Sequence, residues 1–170
     1  MATVYVCPLS QVDRIARESR AGWMLTLATA GHASARPEGV PAERHLTLTL
    51  SDIAAPLAGH VLPAQTHVRD MIGFAQRWDR GAPLLIHCYA GVSRSTAAAF
   101  VIACAMRPKQ PEAEIANEIR RLSPTATPNP RIVALGDLEL GRNGRMIAAI
   151  AALGRGAECF EGVPFRLEID

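Results

Sequence analysis

Cys88 and Arg94 stand six positions apart in the run Leu85-Ile86-His87-Cys88-Tyr89-Ala90-Gly91-Val92-Ser93-Arg94-Ser95. In a chain with 17 arginines and four cysteines, such a pair carries little by itself. Its setting carries more. An apolar run precedes the cysteine, the residues Tyr89 to Ser93 are mostly small and turn-prone, and an apolar helical stretch starts at the arginine. A tight turn there points successive backbone N–H groups inward, as a nest for the oxygens of a phosphate dianion. Gly91 permits a backbone conformation that larger residues resist. The start of the helix adds the positive end of its dipole, and Arg94 adds a planar fork matched to two phosphate oxygens. The same field favours a thiolate at Cys88, placed to attack phosphorus. Ser95 is positioned to donate a hydrogen bond to that sulfur and help it depart afterwards.

Departure of a phenolate or alkoxide needs a proton, which an aspartate across the pocket can supply. The chain has six aspartates to choose from. Asp13 and Asp170 are far from the motif in sequence. Asp79 belongs to the turn before the Leu84 strand, the wrong end of a sheet. Asp70 sits mid-helix in a surface-like pattern, and Asp137, in the last helix, reads as a buried partner with nothing tying it to phosphate. Asp52 follows a strand at its carboxyl end, in a short loop before a helix, and is the best candidate.

The elements that must position these groups are legible in the pattern. Thr3 to Cys7 reads as a strand, and Ser10-x-x-Asp13 as a capping box opening a helix to about Ser19. Gly22 to Leu27 is a second apolar run, closed by the loop-like Gly31 to Pro41. His45 to Leu50 alternates as a strand does. Apolar residues recur at helical spacing from about Gln65 to Trp78. Leu84 to Ile86 reads as a central strand covered on both faces. Helices follow over Arg94 to Met106, Glu112 to Leu122 and about Arg131 to Leu153, the last soft at Gly141 and Gly144. The tail from Gly154 carries no clear signal. Strands alternating with helices indicate an α/β fold, a central mostly parallel sheet flanked by helices in a single domain over 1–170. Chemistry in such sheets gathers at the carboxyl ends of strands, which selects the segments after Ile86 and after Leu50.

Composition excludes several classes. Apolar residues make up 49% and charged residues 20%, enough for a core and too ordered a mixture for a disordered chain. A net charge of +2 does not call for nucleic acid or an anionic membrane. The single lysine, Lys109, stands between Pro108 and Pro111, which argues against a Walker-type loop or a Schiff-base enzyme. The cysteines at 7, 88, 104 and 159 form no C-x-x-C pair, so neither a zinc site nor a disulfide framework is expected. No secretory leader or membrane span is visible, and free thiols in a cytoplasmic setting are the expectation. The arginine and alanine excess fits a GC-rich bacterial genome.

His-Cys-x-Ala-Gly-x-Ser-Arg-Ser resembles the signature of the cysteine-dependent protein tyrosine phosphatases, and within them the dual-specificity branch. The order of elements from about 45 to 135 is similar to that family as well. The low-molecular-weight branch, with its loop near the N-terminus, fits poorly. The resemblance implies that Cys88 is the nucleophile, that Arg94 binds phosphate and the transition state, and that Ser95 assists hydrolysis of a phosphocysteine. It makes Tyr89, Ala90, Gly91, Val92, Ser93 and Arg94 the phosphate-binding loop, and His87 the residue that orients the loop and tunes the thiol. It places the general acid on a loop some thirty-odd residues before the nucleophile; Asp52 precedes Cys88 by 36 (88 − 52). The Trp-Pro-Asp of the larger receptor-type members is absent. Pro128-Asn129-Pro130 matches a family segment that braces the active-site loops, although Asn129 also reads as a plain helix cap. Arginines 36, 44, 131, 142 and 145 are left open between pocket rim and solvated surface, and Cys7 or Cys104 as a disulfide partner of Cys88 is left open too. The implied activity needs no cofactor and no metal. Its substrates would be phosphotyrosyl proteins; a phosphoinositide or other small phosphomonoester is the enzymatic alternative, and a non-catalytic phosphate-binding module the other. Oligomeric state is not legible.

Overall fold

The computed structural model describes residues 2–32 and 35–169. Two of the assignments above touch positions outside this range: Asp170, and the part of the Gly31 to Pro41 loop at 33 and 34. Four strands run parallel: β1 (Thr3–Pro8), β2 (Trp23–Ala28), β3 (His45–Thr49) and β4 (Leu84–Cys88). A fifth, β5 (Phe165–Glu168), pairs antiparallel with β1 at one edge, giving the order β3-β2-β4-β1-β5. The inner strands β2 and β4 are buried almost throughout. That matches their runs of apolar residues without polar alternation.

Side-chain alternation divides the sheet into two faces. Val4, Val6, Leu25, Leu84, Ile86 and Cys88 face the larger core, under α2 (Gln65–Arg77), α3 (Arg94–Met106), α4 (Glu112–Leu122), α5 (Pro130–Glu139) and α6 (Arg145–Leu153). Cys7, Met24 and Leu85 face the other way, under α1 (Val12–Ser19) alone. The central helix is α3, buried at every position from Arg94 to Cys104. Its alanines let neighbouring elements approach closely, and its first residue is therefore an arginine held inside the protein.

Three expectations are corrected, and the tail, which carries no sequence signal, finds its place. The helix expected from Arg131 to Leu153 is two helices. Gly141, Asn143 and Gly144 take positive φ (61°, 53° and 85°), and Asp137 caps the second helix through Gly144 N–H at 2.7 Å and Met146 N–H at 2.9 Å. Ser10 forms no capping box; Leu9–Gln11 is a short 3-10 turn, and the Ser10 hydroxyl donates instead to Glu161 Oε2 at 2.8 Å. The connection carrying Asp52 is not short, since it occupies every residue from 50 to 64. Its neck is closed by Ser51 N–H to Val61 O at 2.7 Å and Val61 N–H to Ser51 Oγ at 3.1 Å. Finally, the tail is ordered: it crosses the carboxyl end of the sheet before entering β5.

Candidate active site

Cys88 closes β4 and Arg94 opens α3, so Tyr89–Ser93 must reverse the chain in five residues. Gly91 makes this possible. Its φ is +70°, and a Cβ there would lie 2.6 Å from Pro8 N and 2.9 Å from Cys7 C at the end of β1. Leu9 N–H donates to Tyr89 O at 3.0 Å, and Thr96 Oγ donates to Val92 O at 2.6 Å, fixing the two ends of the turn. Cys88 is 4% exposed at the base. Its Sγ lies 3.1 Å from Ser95 Oγ and accepts Gly91 N–H at 3.3 Å. Both groups can donate to a thiolate. Tyr89 stands outside, 56% exposed at the rim.

Arg94 is 5% exposed. Its Nη1 donates to Leu50 O at 2.8 Å and Thr29 Oγ at 2.9 Å, groups just beyond the carboxyl ends of β3 and β2. Its buried Nε has no partner among the described residues. Among the described residues no carboxylate pairs with this guanidinium. A buried cation without a counter-ion is costly, and an anion bound in the loop offsets that cost.

Asp52 is exposed beside the loop. Its Oδ1 accepts from Ser93 Oγ at 2.7 Å and from Asn129 Nδ2 at 2.8 Å. Both bonds engage Oδ1, and among the described residues none bonds to Oδ2. Asn129 acts as brace and cap together. Its Oδ1 accepts the N–H groups of Arg131 and Ile132 at 3.0 and 3.1 Å, capping α5, while its own N–H donates to Ser93 O at 3.2 Å. Acid, loop and helix start are thus joined through one side chain.

On the opposite face of the sheet, β4 sets His87 beside Thr26 and β2 sets Thr26 beside Thr47, one row across neighbouring strands. Thr26 Oγ lies 2.8 Å from His87 Nε2 and 2.8 Å from His45 Nε2. One hydroxyl has one proton, so it donates to one ring and accepts from the other. The long contact from His87 Nδ1 to Cys88 O, 3.4 Å, assigns the N–H of His87 to Nδ1. Its Nε2 then accepts from Thr26, which accepts from His45. Burial pushes the His87 pKa down to about 4, and burial also lowers His45. His87 is therefore neutral near pH 7, and any tuning of the thiol goes through hydrogen bonds rather than through imidazolium charge.

The remaining candidates lie elsewhere. Asp13 and Asp70 are exposed, Asp79 pairs with Arg44 at 3.2 Å, and Asp137 caps α6. Arg44 also covers the Trp23 ring, Arg36 donates to Val40 O, and Arg142 and Arg145 pair with Glu112. Of the five arginines left open, only Arg131 reaches the site's supports, with Nε donating to Pro63 O at 2.6 Å. All four cysteines are free, and burial raises the Cys7 and Cys104 thiols to about 12. Among the described residues there is no cluster of His, Cys, Asp and Glu able to hold a metal ion, and no helix long and apolar enough to cross a membrane.

Sequence reasoning missed Thr29, the Leu50 carbonyl, the Thr26–His45 pair and the tail. Gly162 N–H donates to Ala90 O at 2.8 Å, and a Cβ on Gly162 would lie 2.6 Å from Gly91 O. Thr26, a polar residue in an otherwise apolar run, was the one available signal.

No sequence-family model and no curated protein matches the chain. Solved structures do match in fold. A crystal structure of DUSP15 superposes with a TM-score of 0.62 at 18% identity, over 90% of this chain and 91% of that one. Human DUSP28 gives 0.62 at 14%, over 82% and 89%. PTPMT1 in complex with PI(5)P gives 0.63 at 16%, over 89% and 96%. The chain has the α/β fold of these dual-specificity phosphatases and of PTPMT1.

Proposed function

We propose that the chain is a cysteine-dependent phosphomonoester hydrolase acting on phosphotyrosyl proteins. The observation that carries this reading is the buried Arg94 guanidinium, without a carboxylate partner among the described residues, at the helix start that closes the loop over Cys88. A phosphate dianion supplies the missing charge and accepts the loop's N–H groups. Cys88 Sγ then attacks phosphorus in line with the leaving oxygen. The sulfur–phosphorus bond forms as the phosphorus–oxygen bond breaks, and Asp52 Oδ2 delivers its proton to the departing phenolate. In the second half, the Asp52 carboxylate takes a proton from water as its oxygen attacks phosphorus. The thiolate leaves, received by the Ser95 hydroxyl at 3.1 Å. Inorganic phosphate and the starting protonation states are recovered.

The fold match with PTPMT1 holding PI(5)P makes a phosphoinositide the second substrate class. Tyr89, Ala90 and Val92 offer no cation to a ring bearing further phosphates, which favours the phosphotyrosyl protein. Turnover of p-nitrophenyl phosphate in the presence of EDTA tests the reading. Wild-type activity that vanishes in Cys88→Ser is expected; an inert wild type, or an active Cys88→Ser, overturns it.

A further inference from the structure

Beside the reaction loop lies a cavity of about 560 Å³. Val92 and Asp52 form its wall toward the loop, Val133, Ile147 and Ile150 of α5 and α6 form its floor, and the tail at Cys159 closes the far side. The size suits a bulky side chain with part of its backbone. The tail that forms this wall is fixed in place: Gly156 N–H donates to Thr127 Oγ at 3.0 Å, Ala157 N–H to Pro124 O at 3.0 Å, and Gly162 N–H to Ala90 O at 2.8 Å. Gly156 has no room for a side chain, since a Cβ would lie 2.6 Å from Thr125 O. The cavity is therefore preformed, and its apolar floor is partly open to solvent, with Ile147 45% exposed.

Two features select an occupant. The leaving oxygen of a substrate must lie against Asp52, so the chain carrying that oxygen enters alongside the cavity, which shares Asp52 and Val92 with the loop. The charged groups on its walls are the Arg155–Glu158 pair, 3.9 Å apart, and Asp52, which the proposed reaction requires in its protonated form when substrate binds. Those walls then hold no net charge to attract a second phosphate or an anionic bilayer, while the floor favours an apolar group. We infer that this cavity binds an apolar side chain flanking the phosphotyrosine of a substrate protein, making the tail a specificity wall. The inference rests on the phosphatase reading and narrows its substrate class.

The test compares phosphotyrosyl peptides carrying Leu or Asp at each position within three of the phosphotyrosine, with p-nitrophenyl phosphate as the reference substrate. At one position Leu is expected to raise kcat/KM over Asp by about tenfold. Ala151→Trp, which fills the cavity from an exposed position, and Ile147→Asp should each flatten that preference, read as the peptide-to-reference ratio. Ala152→Trp, the next position along the helix and outside the cavity, should leave the preference intact. Turnover of p-nitrophenyl phosphate with a flat peptide profile overturns the cavity assignment alone, as does a preference that survives both cavity variants. An inert wild type overturns the phosphatase reading and the assignment together. Hydrolysis of PI(5)P in phosphatidylcholine vesicles in preference to every peptide, lost in Ala151→Trp, would give the cavity to a lipid and overturn the peptide assignment.

Discussion

Acidification should destabilise this protein through His87. The ring is 2% exposed, Nε2 accepts from the buried Thr26 hydroxyl, and burial holds the pKa down to about 4 against 6.5 for a free histidine. Protonation would turn Nε2 into a donor facing a hydroxyl that already receives the His45 N–H, and Thr26, 1% exposed, would have to re-aim its proton. Because the folded pKa lies below the unfolded one, the unfolded chain binds more protons between about pH 4 and 6.5. Stability from this group is complete above that window and declines as pH falls through it. For one site with these two pKa values the loss from pH 7 to pH 5 is about 2 kcal/mol, and over the whole window about 3 kcal/mol. His45, lowered in the same direction, adds to the slope. Glu112 and Glu139, held below the usual carboxylate range, contribute only at lower pH. Urea unfolding at pH 7, 6 and 5, followed by far-UV circular dichroism, reads the loss directly. His87→Asn, which keeps a donor toward the Cys88 carbonyl, should be less stable at pH 7 and should retain only the shallower slope owed to His45. A slope in His87→Asn as steep as in the wild type would show that His87 does not carry the acid sensitivity.

Three further outcomes are expected. Asp52→Asn should lower kcat for phenyl phosphate about a hundredfold but that for p-nitrophenyl phosphate far less, because only the poorer leaving group depends on the proton; equal slowing in steady-state assays removes Asp52 from its role. Gly91→Ala forces an alanine to φ +70° against Pro8 N at 2.6 Å, which should cost at least about 2 kcal/mol in urea unfolding. The same variant should slow iodoacetate alkylation of Cys88 as the loop N–H groups turn away. Asp137→Ala releases two N–H groups at the start of α6 from a carboxylate that is 5% exposed. It should cost about 2 kcal/mol, seen as a lower Tm, with p-nitrophenyl phosphate kinetics unchanged at low temperature.

What was legible in the sequence is what neighbouring residues decide. The bounds of α3 and α4 follow from Ala-rich and amphipathic runs cut by Ser93, Arg107, Pro111 and Ser123. Cys88, Gly91, Arg94 and Ser95 lie in one continuous stretch, so a shared purpose can be proposed there and the structure brings them to one turn. The break between α5 and α6 was hidden because apolar spacing continues across it, while the deciding group, Asp137, acts seven residues before the N–H it caps. Arg94's anchor at Leu50 is a backbone carbonyl, which no residue type reports. The tail was hidden for a related reason. Its contacts with the loop depend on side chains that are absent: Gly162 lies against Gly91 O, and Gly91 lies against Cys7 and Pro8, so that any Cβ at either place would fall within 2.6 Å of backbone. The reaction loop is thus held between the end of β1 and the tail by two glycines distant in sequence. A motif covering the loop contains one of them and carries no information about the other. Proposing the chemistry therefore required only the motif, whereas proposing what walls the site, and so what substrate it admits, required the fold.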